Sequence, residues 1–219
     1  MAKRRSAVRK RRVPRQRRAS DTVEIILEAA AQVLEAGGLP AFTTNAVAQR
    51  AGVSIGTLYQ YFANKDVLIV ALARQEVRNA LQSVGRAMQG DPELGTADLG
   101  TGVEGRVRAM VRAAIHAFRG RQRARKAVLE AVLSQGHHAE LMLPVVAFIA
   151  QNRGGAAPQA VFATMTPIQM FVMSRAVIGV LRAAVLEEQP FFKSRPYEDE
   201  LVRLVLAYVG SITKEAAAP

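Results

Sequence analysis

Two apolar patterns divide this sequence. Up to about residue 150, hydrophobic side chains recur every three or four positions as a single stripe per segment, the mark of helices with one buried face. Asp21 and Glu24 form a capping-box-like start, and Ile25, Ile26, Ala29, Ala30, Val33 and Leu34 follow as one broad face. Gly37 and Gly38 stop that segment, and Leu39 and Phe42 are expected to close the base of a small core. Thr43 or Thr44 then caps a short helix carrying Ala46, Val47 and Ala48, and Gly52 ends it, with Val53 plugging the corner. Ser54 caps a second short helix, Ile55 to Tyr61, whose Leu58 faces inward together with Phe62. Asn64 caps a third that runs from Lys65 through Leu68, Leu72 and Leu81 toward Met88. At 1.5 Å per residue this last helix spans about 36 Å, enough to join a small head to a separate body.

The body reads as further helices. A glycine-rich break at 90–105 precedes a stripe of Val107, Met110, Val111, Ala114, Ile115 and Phe118. A second stripe follows at Val128, Leu129, Val132 and Leu133, and Leu141 to Ile149 forms a third apolar segment containing Pro144. A turn-rich linker at 152–158 comes next. Thr166-Pro167 is a cap with proline at the first helical position. From there the pattern changes, because Ile168–Leu186 and the run after Pro196 are apolar on nearly every side. A helix apolar all round must be covered all round. One side can lie on the chain's own body and the other on a second copy, which nominates Ile168, Phe171, Val172, Ile178, Leu181, Leu201, Leu204, Val205, Tyr208 and Ile212 as dimer interface. The whole predicts an all-α fold with a basic, disordered arm at 1–19, a three-helix head at 20–66 and a helical body at 67–219.

The face left outside on the second short helix decides what the head can do. Ile55, Gly56, Thr57, Tyr59, Gln60 and Tyr61 point away from Leu58, an unusual set for so short a helix because large aromatics normally bury their area. Hydroxyls, an amide and phenols suit a polar, anionic surface, and a helix-turn-helix lays its second helix in the DNA major groove with its N-terminal residues at the base edges. Thr43, Thr44 and Asn45 then approach phosphates, Ile55, Gly56 and Thr57 read base edges, Tyr59, Tyr61 and Lys65 grip the backbone, and Ser54 and Gln60 belong to the same DNA-binding set.

The run GVSIGTLYQYFANKDVL closely resembles the DNA-binding domain of TetR-type (tetracycline-repressor-like) transcriptional regulators. The resemblance covers about residues 20–70, on Ala29, Phe42, Thr43, Ala48, Ala51, Gly52, Val53, Thr57, Leu58, Tyr59, Phe62, Lys65 and Leu68. Beyond residue 75 only the helical character matches, and Val23–Ile26 departs from the family's more polar lead. The resemblance implies a cytoplasmic homodimeric repressor on a palindromic operator, dimerised by its last two long helices. It also implies an apolar effector pocket among the middle helices, for which Met110, Ile115, Phe118, Leu133, Met142, Phe148, Phe162 and Met173 are candidate lining, each of them also plausible as plain core.

Charge adds an arm to this picture. The net charge is +12, but residues 1–20 hold ten basic side chains and no acid, leaving the other 199 residues with twenty basic and eighteen acidic groups. Such a run is expected to be disordered alone and able to track phosphates, so a sequence-blind DNA-coating protein is the competing reading. Chemistry is otherwise sparse. With no cysteine and only three histidines, the adjacent His137 and His138 point about 100° apart on a helix, so no metal site or cofactor is expected. Gly52-Val-Ser-Ile-Gly56 matches the letters of a nucleophile elbow, but what precedes it is helical rather than a strand, so no catalytic residue and no enzyme are expected. No run of eighteen apolar residues is free of charge, so no membrane-crossing helix or membrane partner is expected.

Overall fold

The computed structural model describes residues 14–89, 102–118, 120–151 and 165–216. The described residues form α-helices with one 3₁₀ turn at Pro190–Lys193. The head comprises α1 (Pro14–Ala41), α2 (Thr44–Ala51) and α3 (Ile55–Tyr61), and the connecting helix α4 is Lys65–Met88. The body contains α5 (Val103–Ala117), α6 (Gln122–Ser134), α7 (His138–Gln151), α8 (Pro167–Leu186) and α9 (Arg195–Ala216).

Helix α1 begins at Pro14, seven residues before the expected start at Asp21. Proline suits a first turn, where its missing N–H would be unpaired anyway, and the arginines that follow are good helix formers. The last six residues of the expected disordered arm, 14–19, are therefore helical, while residues 1–13 lie outside the described set. At its other end, where Gly37 and Gly38 were expected to stop the helix, α1 kinks and runs on to Ala41: Gly38 takes φ +65°, and a Cβ on Gly37 would sit 2.3 Å from that of Ala41. Two positions expected on the buried side lie outside. Ile25 is 52% exposed and Leu39 37% exposed, because the buried stripe of α1 runs through Ile26, Leu27, Ala30, Ala31 and Leu34 instead.

That stripe is wide because α1 is packed on two sides. It meets α2 in the head and also α4 and α6 in the body, so one apolar core runs without a break from Ile26 to Ile212, across the boundary expected near residue 66. The polar rim of this joint is built by α6. Arg121 pairs with Glu28, Arg123 Nη1 donates to the Ala36 carbonyl at 3.0 Å, and the Ala124 N–H donates to Glu35 at 2.9 Å. At the far end of α6, Gln135 Nε2 donates to Asp66 in the first turn of α4 at 3.0 Å.

On the other side of the body, Arg112 and Arg108 of α5 engage Glu198 and Asp199 in the first turns of α9. Tyr197 donates its hydroxyl to the Val180 carbonyl at 3.2 Å, and burial pushes its pKa up to about 12. Helix α8 keeps an apolar outer face: Ile168 is 76% exposed, Phe171 59% and Val172 45%. Against the expectation of none, α8 is also long and apolar enough to cross a membrane, with a mean hydropathy of 1.5 despite Arg175 and Arg182.

Candidate nucleic-acid interface and effector cavity

The head closes on Ile26, Leu34, Val47 and Leu58, none of which has measurable exposure, with Phe42 and Phe62 nearly as buried. The starts of α2, α3 and α4 are each tied by a side chain. Thr43 Oγ1 accepts from the Ala46 N–H at 3.1 Å, Ser54 Oγ from Thr57 N–H at 3.0 Å, and Asn64 Oδ1 from Val67 N–H at 2.9 Å. Between α2 and α3 the corner is made by Gly52 at φ +68°, a left-handed conformation that a side chain would oppose, and by the Val53 N–H bonding back to Ala48 at 3.0 Å. This is a tripeptide turn between two short helices, the geometry of a helix-turn-helix. It also accounts for the nucleophile-elbow letters, since Ser54 is a helix cap whose hydroxyl additionally bonds Thr57 Oγ1 at 2.8 Å.

Of the expected DNA-facing residues, Thr43, Asn45, Ser54, Ile55, Gly56, Tyr59, Gln60 and Lys65 are exposed, whereas Thr44, Thr57 and Tyr61 are half-buried. Tyr61 differs from expectation because it packs against the head core. One contact escaped the sequence: Tyr59 Oη and Thr44 Oγ1 lie 3.2 Å apart, joining the polar faces of α2 and α3 into one surface. Nothing in sequence spacing signals a pairing fifteen residues apart.

Below the head, helices α4 to α9 enclose a cavity of about 260 Å³. Met110, Phe118, Met142, Phe148 and Met173 line it as expected. Ile115 does not, because the α5 stripe facing the cavity runs through Val107, Met110, Val111, Ala114 and Phe118 and leaves Ile115 in the core beyond its edge. Leu133 likewise falls one turn past the α6 wall of Arg125, Val128 and Leu129, and Phe162 lies outside the described residues. Three residues expected at a dimer interface, Ile178, Leu181 and Val205, line the cavity instead. Leu181, Leu201, Val205 and Ile212 are all at least nine-tenths buried within this one chain, since α8 and α9 turn those positions inward onto α5 and α6.

The charged wall was also missed. Glu76 of α4, Arg125 of α6 and Arg182 of α8 all reach the cavity, and Glu76 pairs with Arg125 at 3.1 Å. Arg125 additionally stands 5.8 Å from the centre of the Phe118 ring, and burial holds its pKa below the usual value. The signal available in the sequence was Val77, Leu81 and Val84, an apolar stripe on the connecting helix beyond the reach of the head.

Residues 26–72, which contain α2, α3 and the turn between them, match the family model for bacterial regulatory proteins of the tetR family. Over this stretch the chain is similar to the tetR family. Two curated relatives are similar over about a third of the chain. The uncharacterized HTH-type transcriptional regulator YvdT of Bacillus subtilis (strain 168) is 32% identical over 77 residues, 35% of this chain and 40% of the relative. The HTH-type transcriptional repressor KstR of Rhodococcus jostii (strain RHA1) is 36% identical over 88 residues, 32% of this chain and 42% of the relative. The chain thus spans about two fifths of the length of these curated relatives. Solved structures extend the likeness in fold to nearly the whole chain. A transcriptional regulator from Rhodococcus sp. Rha1 superposes with a TM-score of 0.57 at 19% identity, covering 88% of this chain and 96% of its own. The multidrug binding protein EbrR in complex with ethidium gives 0.54 at 21% identity, covering 84% and 98%. TetR-family architecture, an N-terminal helix-turn-helix on an all-α body, is therefore the fold of this chain.

Proposed function

We propose that the chain is a DNA-binding transcriptional repressor that sits as a homodimer on a palindromic operator and leaves it when a small apolar or amphipathic effector enters the body cavity. The observation that carries this reading is the joined polar face of α2 and α3, laid over a closed core and flanked by Lys65. Ile55, Gly56 and Thr57 read base edges, with Ser54 beside them. Thr43, Thr44, Asn45, Tyr59, Gln60 and Lys65 hold the backbone, and Tyr61 braces the helix from behind. The description of KstR as a repressor supports the sign of regulation. The apolar outer face of α8, with Ile168, Phe171 and Val172, supports the dimer, and Leu204 (43% exposed) and Tyr208 of α9 extend it. Covering that face with a second copy also removes the need for a membrane around α8.

The effector reading rests on α4. It starts at Lys65 beside the proposed backbone contacts and lines the cavity with Ala73, Glu76, Val77, Ala80, Leu81 and Val84. A ligand that prefers one setting of α4 changes the spacing of the two heads and, by linkage, the affinity for DNA. The cavity's volume lies near the small end of the usual range for ligand pockets, about 300–1,000 Å³.

Selection of bound duplexes from a random pool, with the full chain, tests the proposal. A palindrome should emerge with a preference of about a thousandfold or more over bulk DNA. Tyr59→Phe combined with Lys65→Ala should weaken binding to all sequences and flatten its salt dependence, whereas Thr57→Ala should change the sequence preference. Uniform recovery of all sequences would instead favour non-specific coating by the basic arm of residues 1–18.

A further inference from the structure

Among the described residues, the cavity wall carries a positive charge with no carboxylate beside it. Its two arginines face one carboxylate, and that carboxylate, Glu76, is taken by Arg125. Among the described residues no carboxylate meets Arg182. Acids in the adjoining segments are committed elsewhere: Glu198 to Arg112, Asp199 to Arg108, and Glu188 to Lys126. Arg175, about two turns of α8 before Arg182, adds a second positive charge, its guanidinium lying 4.8 Å from the Phe171 ring centre. A half-buried guanidinium with an arginine for a neighbour and an apolar chamber in front of it lacks the anion that ordinarily accompanies such a group.

From this juxtaposition we infer that the effector is a singly charged amphipathic anion, a carboxylate whose oxygens take the Arg182 fork while its hydrocarbon body fills the space between α4, α5 and α7. The inference rests on the reading of the cavity as the effector site and narrows it to a ligand class. The chemistry of the wall supports it at both ends. Arginine presents parallel N–H groups that match a carboxylate in two bonds, and Val77, Leu81, Met110 and Phe148 of the lining offer no polar partner to a second head group. Burial and the charge of Arg175 both hold the Arg182 pKa below its usual value, so an entering anion relieves a repulsion as well as forming bonds.

Calorimetric titration of the full chain with decanoate, decanol and ethidium separates the possibilities. Decanoate should bind about ten- to a hundredfold more tightly than decanol, the range for hydrogen bonds to a charged partner. Arg182→Gln should remove that difference while leaving decanol binding in place, which also shows that the variant is folded, and Arg182→Lys should retain most of it. Equal affinity for decanoate and decanol overturns the anionic class and leaves the cavity as an apolar effector site. Tighter binding of ethidium than of decanoate overturns it too, assigning the charged wall to Glu76. If neither decanoate nor decanol binds, the effector reading of the cavity fails and this inference with it. Should Arg182→Gln dissociate the protein in sedimentation without changing ligand preference, Arg182 belongs to the interface between copies and the inference is wrong.

Discussion

The head and the body of this chain solve the burial problem in opposite ways. In the head, short helices with capped ends close completely on Ile26, Leu34, Val47 and Leu58, and the outer face of α3 is polar. In the body, longer helices stop short of closure, leaving a chamber of about 260 Å³ inside and Ile168 and Phe171 bare outside. The head is complete as one chain. The proposed effector site lies in the chamber, and the proposed interface between copies lies on the bare face.

That contrast can be broken by cutting into each core. Leu58→Ala removes a fully buried side chain from a closed cluster and should cost about 2–5 kcal/mol, read as a drop in the thermal midpoint. Because the core is continuous from Ile26 to Ile212, unfolding of that variant should remain a single transition seen alike by circular dichroism and by tyrosine fluorescence. Two separated transitions would show that head and body are energetically independent in spite of α6.

On the outside of the body, Phe171→Glu places a charge on the apolar face of α8. If that face is a dimer centre, self-association should weaken by roughly thirtyfold or more, the threshold for an interface anchor, with little change in helical content. Sedimentation velocity over a concentration series measures it. An unchanged dimer would move the interface off this part of α8.

The cavity and the head core should also answer differently to added volume. Ala30→Leu has no space to enter and should destabilise by about 1–3 kcal/mol. Ala114→Leu projects into the chamber and should be neutral or slightly stabilising while excluding ligand. If both lose stability equally, the chamber is filled or collapsed in solution.

The same contrast explains what could be read beforehand. Caps and corners are local: Ser54, Asn64, Gly52 and the span Lys65–Met88 follow from residues within four positions of each other, and each stands where the spacing put it. Ile25, Leu39 and Tyr61 did not follow, because which side of a helix is covered depends on elements far away in sequence, here α6 against α1. For the cavity, a stripe of methionine and phenylalanine has the same pattern whether it fills space or surrounds it. Met110 and Ile115 carry equal hydrophobic weight, and only the rotation of α5 against its neighbours puts one on the wall and the other in the core. The charges of Arg125 and Arg182 looked like ordinary interruptions of apolar helices for the same reason.

The smallest expected effect lies at the joint between the two regions. Arg121 precedes α6 in a left-handed conformation, φ 36° and ψ 47°, uncommon for a residue with a Cβ, and its guanidinium forks onto Glu28 of α1. Bonding to Arg121 first, and to Gln32 second, holds the Glu28 carboxyl below its usual 4.5. A carboxyl depressed on folding adds stability above its unfolded value and loses it as pH falls through the folded one. Both side chains are more than a third exposed, so solvent screening limits the contribution to less than about 1 kcal/mol. Glu28→Gln should therefore lower the melting temperature slightly at neutral pH and converge on the unmodified protein below about 4.5, as the other carboxylates titrate equally in both. Arg121→Gly separates strain from charge: it loses the same pair but relieves the left-handed backbone, which is worth on the order of 1 kcal/mol. If its melting temperature at neutral pH falls below that of Glu28→Gln, the Arg121 side chain holds head to body by more than its charge, with packing of its stem against α1 as the remaining contribution.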